Sequence, residues 1–322
     1  MKYKLKELLQ KEINGPILID EKMDNHTYFK TGGPTELFIE PESVKELKVS
    51  LKIIKENKYP YYIIGNGTNI LVSDDGYKGA VVKIGHKLNS IAVKGNVVET
   101  GAGTLLSSLS KAACKKGLRG LEFASGIPGF VGGAVAMNAG AYHGEMKDII
   151  DYVVCLDQEN NLKTYTNKEM NFRYRNSIVK DEDLIVLKMG ILLERGDTNE
   201  IKDKINLLTR LRKEKQPIEM PSAGSTFKRP KEGFAAKLIE DSGLKGLRIG
   251  DAMVSDKHSG FIVNCGKAKT SEILSLMRIV RERVKEKYSV ELEPEVKIIG
   301  EEFWGDYESY KRLSYSFYIF KK

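Results

Sequence analysis

Cysteine is scarce in this sequence, and the few cysteines are far apart. The 322 residues contain Cys114, Cys155 and Cys265, without a CxxC pair. A disulfide framework or a structural zinc site needs several thiols at characteristic spacings. The four histidines are equally scattered and include no HExxH pair. We therefore expect no disulfide bond and no metal ion, in keeping with a reducing cytosol.

Long hydrophobic runs are also missing. No apolar stretch approaches the ~20 residues that a membrane-spanning helix requires. The first residues, MKYKLKELLQKEI, form a charged amphipathic stretch with neither an apolar core nor a small-residue cleavage site. They do not resemble a secretory signal. We expect a cytoplasmic protein that does not insert into a membrane.

Nucleic-acid-binding motifs are absent although the chain is basic. Its net charge is +8 and its pI about 9.0, but Lys and Arg are interleaved with Asp and Glu throughout. There is no RNP-like aromatic motif and no zinc-finger spacing. We therefore expect no nucleic-acid partner, and the positive charge fits either an anionic small ligand or a solvated surface. A content of 41% hydrophobic and 30% charged residues is that of a soluble globular protein.

Hydrophobic periodicity outlines the first part of the chain. Ser43 and Glu46 have the spacing of a capping box, and apolar residues at helical intervals follow, which predicts a helix over 43–57. A second helix is predicted over 104–116. The polar sequence DQENN predicts the turn of a hairpin. The predicted strands are 61–64, 80–84, 97–100, 151–156, 162–166 and 184–193.

The pattern changes near residue 196. A charged helix capped by Thr198 is predicted to run to about Lys215, and a second αβ region contains helices near 233–242 and 271–287 and a strand at 260–264. We place one domain at 1–196 and a second at 197–300. Residues 301–322 contain eight aromatic residues and form a tail without an assigned role.

The most unusual segment is the glycine-rich run GLEFASGIPGFVGGAVAMNAGAYHG at 120–144. Disordered glycine linkers are polar and repetitive, and this run is neither. Glycine lets the backbone approach another group closely. The run therefore indicates backbone wrapped around a large ligand, or else a tightly packed pair of loops without one.

Two further glycine turns follow predicted strands. Gly65-Asn66-Gly67-Thr68-Asn69-Ile70 offers outward-facing amides that suit a pyrophosphate, although it lacks the third glycine of a dinucleotide fingerprint. Gly101-Ala102-Gly103-Thr104 is similar. A plain hairpin turn explains either motif alone. Three such segments in one half of the chain favour a large phosphate-bearing cofactor.

Three polar motifs are candidates for chemistry. In FRYRNS the guanidinium of Arg175 could grip a carboxylate or phosphate, or form a surface salt bridge. Ser225 in AGSTFK has no nearby histidine and no nucleophile elbow, so it is either a turn cap or a polar group of a site. Glu295 in EPEV is either a carboxyl group with a raised pKa or an exposed strand-edge residue.

Taken together, these motifs have a family resemblance. The strings GNGTNILV, SGIPGFVGGAVAMNAGAYHGE, FRYRNS, AGSTFKRP, GLKGLRIGDAMVSDKHSGFIVN and LEPEVKIIG occur in order between about residues 24 and 300. They resemble the UDP-N-acetylenolpyruvoylglucosamine reductase family of flavoenzymes. The resemblance implies an α+β fold, with a two-lobed FAD-binding region of the vanillyl-alcohol-oxidase (PCMH-like) type and a smaller α/β substrate-binding domain.

The resemblance also implies roles for individual residues. Arg175, Ser225 and Glu295 match the family's catalytic residues, and the substrate contacts are Tyr174, Lys215, Lys228 and His258. Non-covalent FAD is implied at Gly65, Asn66, Gly67, Thr68, Asn69, Ile70, Gly103, Ser125, Gly126, Pro128, Gly129, Gly132, Gly133, Asn138, Gly140 and Ala141. The chain looks like the shorter branch of the family, because it has no room for an inserted tyrosine loop between residues 195 and 220. Arg229 stands where the longer branch has Asn.

The implied reaction is reduction of UDP-N-acetylglucosamine enolpyruvate by NADPH through FAD, in a monomer that handles a small UDP-sugar. Arg175 and Glu295 are expected to stabilise negative charge on the substrate carboxylate, and Ser225 to protonate the adjacent carbon. Two alternatives stay open. Another flavin oxidase of the same fold would consume oxygen without NADPH, and a non-catalytic nucleotide-binding protein would do neither.

Overall fold

The computed structural model describes residues 1–300; the aromatic segment 301–322 lies outside the described residues. The helices are α1 (Lys2–Gln10), α2 (Val44–Glu56), α3 (Leu106–Lys115), α4 (Val131–Ala136), α5 (Ile178–Asp181), α6 (Thr198–Lys215), α7 (Ala235–Asp241) and α8 (Thr270–Tyr288). The strands are β1 (Ile17–Lys22), β2 (Pro34–Ile39), β3 (Tyr61–Ile64), β4 (Ile70–Val72), β5 (Tyr77–Lys83), β6 (Ile91–Lys94), β7 (Val97–Gly101), β8 (Leu118–Arg119), β9 (Gly140–Ala141), β10 (Gly144–Glu145), β11 (Ile150–Leu156), β12 (Leu162–Thr166), β13 (Ile185–Leu192), β14 (Glu194–Arg195), β15 (Arg248–Ile249), β16 (Ala252–Val254), β17 (Ile262–Asn264) and β18 (Lys297–Ile299).

The chain divides by packing into two compact units. Unit 1 comprises Met1–Glu21, Thr35–Asn66 and Gly79–Glu214, and unit 2 comprises Lys22–Pro34, Gly67–Lys78 and the described chain from Lys215 onward. These divisions differ from the boundary predicted at 196, since almost all of α6 belongs to unit 1 and two short early segments belong to unit 2. The assignment of a separate FAD-binding and substrate-binding domain stays a prediction.

The central sheet of unit 1 has the order β12-β11-β13-β7-β6 and contains the predicted hairpin. Tyr152, Gly190 and Glu99 lie side by side across three of its strands. A Cβ atom on Gly190 would lie 2.2 Å from the Tyr152 ring, so only glycine leaves room for the ring there. The Tyr152 hydroxyl donates to the Glu99 carboxylate, which raises the pKa of Tyr152 to about 12. This arrangement fastens the middle of the sheet.

Helix α2 confirms the predicted periodicity and part of the predicted cap. The Ser43 hydroxyl accepts from the Glu46 backbone N–H at 3.2 Å, as expected for an N-cap. The Glu46 carboxylate instead accepts from the backbone N–H groups of Asn14, Gly15 and Glu42. Glu46 therefore ties a distant loop to the start of α2.

Helix α6 begins one residue earlier than predicted and has a different cap. The Asp197 carboxylate accepts from the N–H groups of Asn199 and Glu200 at 2.8 and 3.1 Å. Thr198, predicted to be the cap, is the first helical residue instead. Asp satisfies the free amides of the first turn and adds a favourable charge at that end of the helix.

Unit 2 is built on α8 and the antiparallel sheet β15-β16-β17. Four apolar residues at helical spacing along α8 are all completely buried: Ile273, Met277, Val280 and Val284. β18 pairs in parallel with β4, so the last described residues of the chain return to a strand formed about 230 positions earlier.

Three findings concern membrane spans, metal sites and cysteines. Within residues 1–300, no helix is both long and apolar enough to cross a membrane. No group of three or more potential metal ligands occurs in the same part of the chain. The three cysteines are free thiols, and burial raises the pKa of the Cys155 thiol to about 12.

Candidate active site

Within unit 1, the turn after β3 lies beside the glycine-rich segment. The side-chain amide of Asn66 donates to the Pro128 carbonyl at 2.6 Å. A Cβ atom on Gly65 would lie 3.7 Å from the Phe130 ring. Two of the three regions that the sequence assigns to one cofactor are therefore adjacent here.

Several features of the glycine-rich segment fit an anionic cofactor such as FAD. The backbone N–H groups of Gly126 and Gly129 donate to no acceptor among residues 1–300. A Cβ atom on Gly133 would meet no atom within 4 Å, so open space adjoins the backbone there. Free amides suit a pyrophosphate, and open space along the backbone leaves room for a ligand.

Arg212 adds a cation to this segment, and sequence reasoning missed it. A Cβ atom on Gly126 would lie 3.0 Å from Arg212 Cδ and 3.4 Å from its Nη1. Burial lowers the pKa of the Arg212 guanidinium. Neither an ion pair nor a hydrogen bond holds this group within the described chain, whereas Arg210 pairs with Glu214. In the sequence Arg212 is one of many charges on a polar helix, and only its position against Gly126 distinguishes it.

Other residues predicted to bind the cofactor make contacts within the protein itself. A Cβ atom on Gly103 would lie 1.9 Å from the Gly85 carbonyl oxygen, one on Gly140 2.8 Å from that of Gly144, and one on Gly132 3.1 Å from a side-chain carbon. The close packing of loops explains these glycines without a ligand. Ala141 lies in β9, and the Ser125 hydroxyl donates to the Glu122 carbonyl. Their cofactor contacts stay predictions.

Asn138 is completely buried and bound to other parts of unit 1. Its amide donates to the Glu145 carboxylate at 2.6 Å and to the Arg173 carbonyl at 3.2 Å. Its side-chain oxygen accepts from the Lys147 N–H at 2.9 Å. Asn138 therefore joins the glycine-rich segment to the loop that carries Arg175. A contact with the cofactor stays a prediction.

Four residues of the turn after β3, predicted to bind the cofactor, belong to unit 2. Gly67 has a φ of +68°, and a Cβ atom on it would lie 1.9 Å from the His26 carbonyl oxygen. The requirement for glycine therefore comes from the protein itself. Thr68 is half-buried, and Ile70 is a buried residue of β4. Asn69 donates from its side chain to the Glu295 carbonyl at 3.2 Å.

Ser225 and Glu295 come from two segments that are paired through their backbones. Phe227 and Pro294 form an antiparallel bridge, and the Glu295 N–H donates to the Thr226 carbonyl at 2.9 Å. Ser225 is exposed, and Glu295 is half-buried. Two predicted catalytic residues about 70 positions apart are thus held close together in unit 2.

Lys228 and His258 flank this pairing. The Lys228 ammonium forms an ion pair with the Glu293 carboxylate, and the backbone N–H of Lys228 donates to the Glu293 carbonyl at 2.8 Å. The Gly260 carbonyl accepts from the Thr226 N–H, and the Gly260 N–H donates to His258 Nδ1 at 3.1 Å. Burial lowers the pKa of His258. A neutral imidazole with an unprotonated Nδ1 fits this hydrogen bond.

The third predicted catalytic residue, Arg175, lies in unit 1 on a tight loop. Its backbone has a φ of +55°, and its guanidinium carbon lies 5.0 Å from the centre of the Tyr174 ring. Tyr174 is 52% exposed, so the pair is accessible. Lys215, the last residue of α6, is also exposed. Tyr174 and Lys215 therefore lie at the surface of the protein.

Two family models match the chain. The model for the C-terminal domain of UDP-N-acetylenolpyruvoylglucosamine reductase matches residues 216–299, and an FAD binding domain model matches residues 35–164. The C-terminal model includes Ser225 and Glu295. The FAD model includes the turn after β3 and the glycine-rich segment.

Relatives of known name match nearly the whole chain. The UDP-N-acetylenolpyruvoylglucosamine reductase of Clostridium novyi is 51% identical over 300 residues, covering 93% of this chain and 96% of the relative. That of Caldanaerobacter subterraneus is 49% identical over 298 residues, covering 92% and 97%. The crystal structure of the Thermus caldophilus reductase matches with 36% identity and a TM-score of 0.76, covering 89% of this chain and 99% of that one. This likeness, with the FAD model, confirms the predicted α+β fold with an FAD-binding region. The chain belongs to the UDP-N-acetylenolpyruvoylglucosamine reductase family.

Proposed function

We propose that this protein uses NADPH and FAD to reduce UDP-N-acetylglucosamine enolpyruvate to UDP-N-acetylmuramate, a precursor of peptidoglycan. The observation that carries the proposal is that the family's C-terminal model covers the paired segments bearing Ser225 and Glu295. The protein acts in the cytoplasm as a monomer on a small UDP-sugar, without a nucleic-acid or membrane partner.

FAD, when bound, passes two electrons from NADPH to the substrate. The chain's part is to hold it non-covalently. The free amides of Gly126 and Gly129 and the guanidinium of Arg212 would stabilise the negative charge of the cofactor, and the open space beside Gly133 would leave room for it. Charge-assisted hydrogen bonds from arginine are about twice as strong as neutral ones.

Arg175 and Glu295 act on the substrate carboxylate. The enolpyruvyl double bond is conjugated to this carboxylate, so reduction moves negative charge onto its oxygens. Arg175 binds the carboxylate and stabilises the added charge. Glu295, as a neutral acid, donates a hydrogen bond to it. Groups placed where charge develops lower the barrier most.

Ser225 supplies the proton for the carbon next to the carboxylate. A serine hydroxyl is a weak acid, but a carbanion-like carbon is a strong base. The exposed position of Ser225 leaves its hydroxyl accessible. Tyr174, Lys215 and His258 contact the UDP-sugar. Lys228 also contacts the UDP-sugar. Its ammonium leaves Glu293, with which it forms an ion pair, and binds a substrate oxygen instead.

The decisive experiment is an NADPH oxidation assay with the purified yellow protein. We expect oxidation that depends on UDP-N-acetylglucosamine enolpyruvate, with UDP-N-acetylmuramate as the product. Oxygen consumption on an alcohol or amine without NADPH would instead identify a flavin oxidase. A colourless protein that binds a nucleotide without turnover would contradict both enzymatic functions.

Arg175→Ala tests the role of the arginine within the same assay. We expect a higher substrate KM and a lower kcat, because the guanidinium binds the carboxylate more strongly as charge develops there. Arg175→Lys is expected to restore only part of the loss, since it lacks the planar fork. Wild-type kinetics in Arg175→Ala would exclude Arg175 from the site.

A further inference from the structure

The loop that carries Arg175 has an unfavourable backbone conformation at the arginine itself. Left-handed φ values are uncommon for residues with side chains and cost of order 1 kcal/mol. Arg175 has a φ of +55°. The residues on either side close a tight turn around it: the Arg173 N–H donates to the Asn176 carbonyl at 2.9 Å, and the Asn176 N–H donates to the Arg173 carbonyl at 3.1 Å. Such a conformation persists only where neighbouring groups hold it.

Two consecutive residues of the short helix α5 hold this loop. The Lys180 ammonium donates to the carbonyl oxygen of Arg175 at 2.7 Å. The Asp181 carboxylate forms an ion pair with Arg173 and accepts from the Asn176 side-chain amide at 3.1 Å. Asp181 thus binds the residues that close the turn, and Lys180 binds the arginine's own backbone.

The base of the loop is fixed to the interior of unit 1. The Ser177 hydroxyl, fully buried, donates to the Ala136 carbonyl at 3.1 Å, and Asn138 donates to the Arg173 carbonyl. The loop therefore has a rigid base, and its tip depends on Lys180 and Asp181. These two residues lie at or near the surface.

We propose that Lys180 and Asp181 are positioning residues, which hold Arg175 in the conformation in which it binds the substrate carboxylate. The proposal rests on the proposed function. Surface ion pairs contribute only about 0–1 kcal/mol to stability. A displacement of about 1 Å in a catalytic group can lower a rate by about 100-fold. Loss of these contacts should therefore affect the reaction far more than the fold.

Asp181→Ala and Lys180→Met test the proposal in the holoenzyme. We expect flavin reduction by NADPH at the wild-type rate, and reoxidation by the enolpyruvyl substrate slowed by about 10- to 100-fold, with a raised substrate KM. Lys180→Arg should restore much of the loss, because arginine can still donate to the Arg175 carbonyl. Glu194→Ala, which removes an exposed ion pair with Arg119 elsewhere in unit 1, is the control and should leave both steps unchanged.

A double-mutant cycle separates positioning from a general structural effect. In an Arg175→Ala background, Asp181→Ala should cause little further loss, because its effect is transmitted through Arg175. Equal additional loss in both backgrounds would overturn the proposal, as would wild-type reoxidation in both single variants or equal slowing of the two steps. A wild-type protein that does not reduce the substrate would contradict the proposed function instead.

Discussion

Ser225→Ala removes a single hydroxyl group, and the structure predicts that this change separates catalysis from stability. Ser225 is exposed, and its hydroxyl forms no hydrogen bond with the described part of the chain. Its removal should change the free energy of unfolding by no more than about 0.5 kcal/mol, as for other surface substitutions. An N-cap serine would cost about 1 kcal/mol.

The expected effect on the reaction is much larger. A positioned general acid contributes about 10²- to 10⁴-fold to a rate. Reduction of the flavin by NADPH needs no proton from Ser225, so that half-reaction should keep its normal rate. Reoxidation by the enolpyruvyl substrate should slow by this whole contribution, about 10²- to 10⁴-fold. Ser225→Cys, with a more acidic thiol, should recover part of the loss.

The neighbouring residue supplies a matched control. Thr226 is 1% exposed, and its hydroxyl oxygen accepts from the Ile262 N–H at 3.1 Å. Thr226→Val leaves that amide unsatisfied and should cost about 1–3 kcal/mol of stability. Stopped-flow absorbance of the two half-reactions, with thermal unfolding of each variant, distinguishes the cases. Reoxidation of Ser225→Ala at the wild-type rate would refute the proton-donor role.

Three further predictions concern the cofactor and pH. Arg212→Ala should weaken FAD binding to the apoprotein by about 10- to 100-fold, the value of a charge-assisted hydrogen bond, whereas Arg210→Ala should not; flavin fluorescence quenching measures both. Gly133→Val should lower FAD affinity without lowering the melting temperature of the apoprotein, because open space adjoins Gly133. Gly67→Ala should lower that melting temperature, because its Cβ atom would lie 1.9 Å from a carbonyl oxygen. The opposite pattern would show that Gly133 faces protein and that Gly67 faces the cofactor. Burial lowers the pKa of His258 from its ordinary 6.5, so the unfolded chain binds this proton more readily than the folded protein does. Stability is therefore lost as the pH falls below about 6.5. His258→Gln should reduce this dependence of the unfolding free energy on pH, as measured by urea denaturation.

Local patterns in the sequence were sufficient for elements whose stability depends on one face. The spacing of Ile273, Met277, Val280 and Val284 places all four in the core, and α8 forms where predicted. The hairpin β11-β12 follows from two predicted strands that flank a polar turn. In both cases the signal lies within about 20 residues, and burial of one face decides the structure.

Long-range partners were not predictable in this way. Nothing near Glu46 indicates that its carboxylate binds the amides of Asn14 and Gly15, about 30 positions earlier. The parallel pairing of β4 with β18 likewise depends on segments whose own sequences are short and apolar. Such contacts form only when distant segments of the chain pack together. No local pattern in a single sequence predicts which segments will do so.

The glycine-rich segment shows where residue type alone is ambiguous. Glycine at 140 is required by a neighbouring backbone oxygen, glycine at 132 packs tightly against a side chain, and glycine at 133 adjoins open space. The sequence shows that something approaches the backbone closely, but the approaching group is a loop in one place and room for a ligand in another. The two cases differ in which variants should lose flavin and which should lose stability. A cofactor site is therefore better identified by free amides, open space and a cation without a partner than by the number of glycines.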